Sequence, residues 1–315
     1  MKWFQLALQL QGSVAPNIFP RVIFFSLLGL LVSLLYDRGF SVYWEFLGTV
    51  ITNVVFNLVL GLLLVFRTNT AYERFWEGRK LWGVLVVNIR NLARQIWVGV
   101  AEIEPSDREK KASVIRLLSV FAVATKLEVR KEPVNGELEA LVTPAQYQQL
   151  KEVKTPTLKV AIWIGEYIQQ QHNRNCLNSN QLIAMNQLLD SMVEGFTGCD
   201  RVSKTPIPLA YSIYLKRLLL IYCLALPFQC VGSLHWWTGV IVGLISFVLL
   251  GIEEIGNEIE DPFGVDPNDL PVDAICQTVL DNIEELTATT GAEKAEVKLA
   301  LDVPVATRPA ESSAY

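Results

Sequence analysis

Residues 46–83 read FLGTVITNVVFNLVLGLLLVFRTNTAYERFWEGRKLWG. The first part, Phe46 to Phe66, is 21 residues long and carries no charged side chain. A helix of that length rises about 30 Å, the thickness of a hydrocarbon core. The second part is polar, yet no Pro or Gly separates Arg67 from Glu77. The pattern predicts one long helix that leaves a membrane and continues into water. Leu58, Leu62 and Phe66 stand at i, i+4 and i+8 and so form a stripe on one helix face. Most stripes of this kind pack against lipid or a neighbouring helix. Repeated around an axis, the same stripe would instead stack into narrow apolar rings, which gate by dewetting.

Upstream, residues 1–16 are weakly amphipathic. They lack the apolar core and small-residue cleavage site of a signal peptide, and predict a short helix at the membrane surface or under the bundle. Asn17 to Tyr36 predicts a first span, its uncharged part running from Val22 to Tyr36 with Arg21 snorkelling to the interface. Asp37 to Glu45 predicts a tight loop before the central helix.

Downstream, Val84 to Lys204 is too charged for lipid but helical in pattern. Glu104-Pro105-Ser106-Asp107 predicts a helix stop and restart, with Ser106 or Asp107 as cap. Lys111 to Arg130 predicts an amphipathic helix with Val114, Leu117, Leu118, Phe121 and Ala122 on one face. Thr143-Pro144 opens another helix. Trp163 to Gln171 and Gln181 to Phe196 predict two more, the latter capped from Asn178 or Ser179. No segment alternates with period two, so almost no sheet is expected.

Apolar character returns at Ile207-Pro208-Leu209, which starts a third span to about Phe228. Lys216-Arg217 interrupts it. Either these charges lie within the membrane, where they would be functional, or the helix enters the bilayer only after them. Pro227 and Gly232 predict a turn, His235-Trp236-Trp237 an interfacial aromatic belt, and Trp236 to Ile252 a fourth span. The segment after the second span is rich in Lys and Arg, so the middle region and both termini are expected in the cytosol. In Glu253 to Asp273 (EEIGNEIEDPFGVDPNDLPVD), Asp266 and Asp269 are candidate ligands for a hard cation such as Ca²⁺. The loop lacks the dense oxygens of a dedicated site and reads rather as a rigid, capped turn that docks the tail, so no metal or cofactor is assigned. Val272 to Leu286 predicts a last helix, and the residues beyond Thr287 read as disordered.

Composition bounds the function. Of 315 residues, 51% are apolar, which predicts a membrane part joined to a sizeable water-soluble part. A net charge of −5 argues against nucleic acid as a partner. The five Cys residues form no CxxC pair and are expected as buried thiols. His172 and His235 stand far apart without acidic or Cys partners, so neither a His-based metal site nor an enzyme is expected.

Four pieces together identify a resemblance: AYERFWEGRKLWG at 71–83, TPAQYQQL at 143–150, the IPL start of the third span at 207–209, and EIEDPFGVDPNDLP at 258–271. They resemble the bestrophin family of ion channels, in its bacterial and chloroplast branch, over residues 1 to about 288. The resemblance implies an all-α multi-pass membrane protein forming a homopentamer around one central pore, each subunit giving four transmembrane helices continuous with a cytosolic helical domain. It divides the chain into 1–66 (N-terminal helix and first two spans), 67–204 (cytosolic domain), 205–253 (last two spans), 254–288 (cytosolic turn and helix) and 289–315 (disordered tail). It puts a hydrophobic neck on Leu58, Leu62 and Phe66 and a cytosolic aperture on Ile207. The implied activity is passage of monovalent anions, chloride among them, with Arg67 beyond the neck as a source of positive potential. A related cation (sodium) channel is the alternative, and a membrane scaffold without transport a further one. The expected partners are further copies of the chain, the bilayer and the permeating ions. The expected location is a bacterial inner membrane.

Overall fold

The computed structural model describes residues 2–288 apart from Gln11, and among them there are helices and no strand. The predicted disordered tail, 289–315, lies outside the described residues. In chain order the helices are α1 (Lys2–Ala7), α2 (Ala15–Asp37), α3 (Glu45–Ile51), α4 (Val54–Gly99), α5 (Asp107–Val129), α6 (Gly136–Glu139), α7 (Pro144–Glu152), α8 (Pro156–Asn173), α9 (Ser179–Lys204), α10 (Leu209–Leu234), α11 (Thr238–Glu260) and α12 (Val272–Ala288). Three helical runs are long and apolar enough to cross a membrane: α2, α4, and Leu209–Glu260, the last divided into α10 and α11 by a 3-10 turn at His235–Trp237.

The predicted rod exists, but it starts later than Phe46. Asn53 leaves the helical region at φ −62°, ψ 121°, and its side chain accepts from the Val55 and Phe56 amides at 2.9 and 3.2 Å. Asn is among the best N-caps, so a new helix begins there, and α3 is a separate piece. From Val54 the rod runs unbroken for 46 residues, about 70 Å. It passes Gly83 and crosses the 66/67 boundary without a break in the helix.

The membrane-side bundle is held by close backbone approach. A side chain at Gly29 of α2 would meet the backbone of Gly239 of α11 at 2.8 Å, and one at Gly239 would meet Leu30 at 2.5 Å. Ser26 donates to the Gly239 carbonyl at 2.9 Å and Ser33 to the His235 carbonyl at 2.8 Å. Small residues and hydroxyl bonds are what associate helices where lipid is as apolar as the side chains. Pro227 does not end α10 as expected. The helix continues through it to Leu234, and the chain turns at His235, whose φ is 48°. Gly232 instead makes room for the Tyr43 ring, which a β-carbon there would approach to 3.0 Å.

The water-soluble part has an ordinary hydrophobic core. It joins the lower half of α4 to α5, α8, α9 and α12. Buried within it are Trp82, Leu85, Ile89, Leu92, Leu118 and Phe121. Burying one such side chain is worth about 1.5–3 kcal/mol. Helix α5 is not amphipathic as predicted but enclosed nearly all round, Val120 and Ala124 being as buried as Leu118. Both capping boxes form, Thr143 with Gln146 and Asn178 with Gln181. At the 104–107 restart, Asp107 accepts from the Ile103 and Glu104 amides and takes both guanidinium nitrogens of Arg174 at 2.8 and 3.0 Å. The Arg174 bonds, aided by those amides, hold the Asp107 carboxyl well below the usual range. All five cysteines are free.

Candidate ion pathway

Helix α4 positions the predicted neck. Leu60 and Leu64 are buried against Leu215 and Leu219 of α10. On the opposite side Leu58, Leu62 and Phe66 are 59%, 43% and 58% exposed, so the stripe is an uncovered apolar ridge on the single chain. It is one part of a broader bare surface that includes Val54, Val55, Val59 and Val65.

Arg67 takes a different place from the one expected. One residue past Phe66 turns the side chain by about 100°, off the ridge and onto the covered side. It is 3% exposed there and pairs with the Glu260 carboxylate at 2.6 Å and the Asn257 side chain at 2.9 Å. A buried cation needs such a partner. Its charge is met by Glu260 and is not presented along the ridge of the single chain.

Ile207, the predicted aperture, lies half-buried in the short segment between α9 and α10. Pro206 and Pro208 flank it, and neither has a backbone donor. The Ile207 amide donates to Glu260 Oε1 at 2.9 Å. Arg74, two turns below Arg67 on the same face of α4, donates to the carbonyls of Thr205, Val202 (2.7 Å) and Glu260 (3.1 Å). The segment that carries Ile207 is thus gripped from α4 and from the end of α11. Glu260, Asn257 and Arg74 were missed as site residues. Arg74 and Glu260 lie inside two quoted motifs, where they look like ordinary surface charges, and Asn257 stands one residue before the second.

Lys216, one of the two cations that interrupt the third apolar segment, has a carboxylate partner, as does Arg21 of the first. Lys216 lies 3.6 Å from buried Glu253, and Arg21 pairs with Glu254 at 3.1 Å. The first acidic residues after the apolar part of α11 therefore answer cations on α2 and α10.

The two longest motifs touch. Phe263 of the PFG turn is fully buried and packs where a side chain on Gly78 would stand, 3.0 Å away. Arg130 donates to the Phe263 carbonyl and forms a two-pronged pair with Asp273. Arg130 and Lys126 hold the Asp273 carboxyl down at about 2. Within the turn, Asp269 Oδ2 accepts from the Asp266 amide at 2.7 Å. Burial, reinforced by nearby Asp266, Asp261 and Glu258, pushes Asp269 up to about 6. Asp266 is exposed. The described residues contain no group of three or more His, Cys, Asp or Glu placed to hold a metal ion.

Comparison with known proteins bears directly on this geometry. A family model described as "Bacterial/Fungal Bestrophin protein" matches residues 1–285. A voltage-dependent anion channel-forming protein of Nostoc sp. is 58% identical over 286 residues, covering 91% of this chain and 92% of that protein. A protein of the same description from Synechocystis sp. is 49% identical, covering 90% and 91%. Another, from Escherichia coli K12, is 30% identical, covering 88% and 89%. The crystal structure of a bacterial bestrophin homolog from Klebsiella pneumoniae superposes with a TM-score of 0.76 at 27% identity, covering 86% of this chain and 98% of that one. The chain belongs to the bacterial and fungal bestrophin family.

Proposed function

We propose that this chain is an anion channel of a bacterial membrane, built from five copies around one aqueous axis. Four crossings per copy leave both termini and the helical domain in the cytosol. Leu58, Leu62 and Phe66 form the neck and Ile207 a second, cytosolic constriction. One observation carries the reading. On the stretch that enters the membrane, α4 buries only Leu60 and Leu64, and the side opposite them presents the large apolar side chains of Leu58, Leu62 and Phe66 uncovered. The channel-forming descriptions of the relatives support the anion assignment. An apolar neck bears no formal charge, so it sorts ions by the cost of removing their water. Large, weakly hydrated anions lose water more cheaply than small cations.

The test is a planar-bilayer recording of purified protein in asymmetric potassium chloride. The reversal potential is expected near the chloride equilibrium value. A value near that of potassium would replace the anion reading with the cation one, and ion-tight membranes would leave a scaffold.

A further inference from the structure

We propose that Glu260 is a positioning residue that ties the aperture to the neck helix; this rests on the pore reading above, and deepens it. Ile207 stands between two prolines, so its own N–H is the one backbone donor from Pro206 through Pro208. That donor goes to a side chain rather than to local backbone: Glu260 Oε1, 53 residues away, at 2.9 Å. The other oxygen of the same carboxylate takes Arg67 of α4 at 2.6 Å. Arg67 is the residue next to Phe66, the last member of the neck ridge. A single carboxylate therefore bridges the backbone of one constriction and the helix of the other. Arg74 adds a parallel strut, reaching from α4 to the carbonyls of Val202 and Thr205 and to that of Glu260 itself.

The arrangement has a mechanical consequence. Any tilt or rotation of α4 that moves the neck ridge also moves Arg67 and Arg74, and through Glu260 it pulls on the Ile207 backbone. The Ile207 side chain is held at its radius by a bond two residues of chain cannot replace, because the flanking prolines offer no substitute donor. Glu260 touches no permeating ion; it acts through Ile207.

Length and charge of the Glu260 side chain separate this role from mere neutralisation of Arg67. Glu260→Asp keeps the charge but retracts the carboxylate by one methylene, so it cannot span Arg67 and Ile207 together. Glu260→Gln keeps the reach but has one acceptor oxygen, and its NH2 would face either Arg67 or the Ile207 N–H, both donors, so it cuts the bridge at one end. The readout is the thiocyanate-to-chloride permeability ratio of purified channels in planar bilayers. Ile207→Ala is expected to change it about threefold or more. Glu260→Asp and Glu260→Gln are each expected to move it in the same direction, by about twofold or more. Combining Glu260→Asp with Ile207→Ala should add nothing to Ile207→Ala alone. A wild-type ratio for Glu260→Asp, which keeps the charge beside Arg67, would mean simple charge pairing and would overturn the proposal, as would independent effects in the double variant. Should Glu260→Asp not assemble, Arg67→Lys decides. It alters the far end of the bridge without touching Ile207, and a wild-type ratio there overturns the tie. An Ile207→Ala channel with an unchanged ratio removes the aperture itself, and the tie with it, which marks failure of the pore reading rather than of Glu260 alone.

Discussion

The upper and lower halves of α4 are one continuous helix in two different solvents. From Val54 to Phe66 only Leu60 and Leu64 are buried. From Ala71 to Gly99 the helix buries Trp82, Leu85, Ile89, Leu92, Ala93, Ile96 and Trp97 at regular spacing. The lower half behaves as a core helix of a water-soluble protein, driven into contact by the hydrophobic effect. The upper half gains nothing from covering its apolar faces in lipid, so it packs only where small residues and shape allow. The junction between the two is Arg67, the point at which the covered side turns from leucine to a paired charge. An exposed apolar side chain therefore costs free energy below Arg67, where water meets it, and little above it, where lipid does.

The largest effect expected from breaking this contrast is in the lower half. Phe121→Ala removes a fully buried ring from the core of the water-soluble part and should cost about 3–5 kcal/mol. Denaturant unfolding followed by tryptophan fluorescence would measure it, since Trp82 and Trp97 lie in the same cluster. A cost under about 1 kcal/mol would mean that this half has no independent core. In the upper half, replacing Leu58, Leu62 and Phe66 together by Ala should leave that unfolding transition in place. Single-channel conductance should rise about tenfold if the three rings are the constriction. Unchanged current through a well-assembled triple variant would put the ridge against lipid.

The smallest effect belongs to the PFG turn. Asp269 has its pKa raised from 3.8 to about 6 in the folded chain, so the native state binds its proton more tightly than the unfolded state does. Its contribution is favourable below pH 3.8 and is lost as pH rises through about 6. Asp269→Asn keeps the acceptor for the Asp266 amide and removes the charge. The variant should be more stable than wild type at pH 7.5 by on the order of 1 kcal/mol, after discounting for partial exposure. Its melting temperature should vary less between pH 4 and 7 than that of the wild type. An identical pH profile would show that the turn leaves this carboxyl solvated.

Much of the architecture was legible before any coordinates. The capping boxes at Thr143 and Asn178, the restart at Asp107, the last helix from Val272 and the unbroken passage past Arg67 all follow from side chains acting on backbone a few residues away. The break at Asn53 was less legible, because the uncharged run of 21 residues also holds Thr49, Thr52 and Asn57, each of a type that can cap a helix. Pro227 misled because a proline inside an apolar helix is tolerated where neighbouring helices fill in around it. The ridge could be named from its spacing alone. That it is bare could not, because bareness depends on where α10 and α11 lie.

Charges were the least legible part. Arg67, Arg21 and Lys216 looked like isolated cations, and each found its carboxylate on α11, across most of the chain or from the neighbouring helix. The amino-acid sequence by itself determined the helices, their caps and the apolar period of the rod, because those interactions close within a turn or two. Only the tertiary structure decided which face of the rod stays uncovered and that Glu260 answers both Arg67 and Ile207. Residues 193 and 53 positions apart meet only after the helices carrying them have packed.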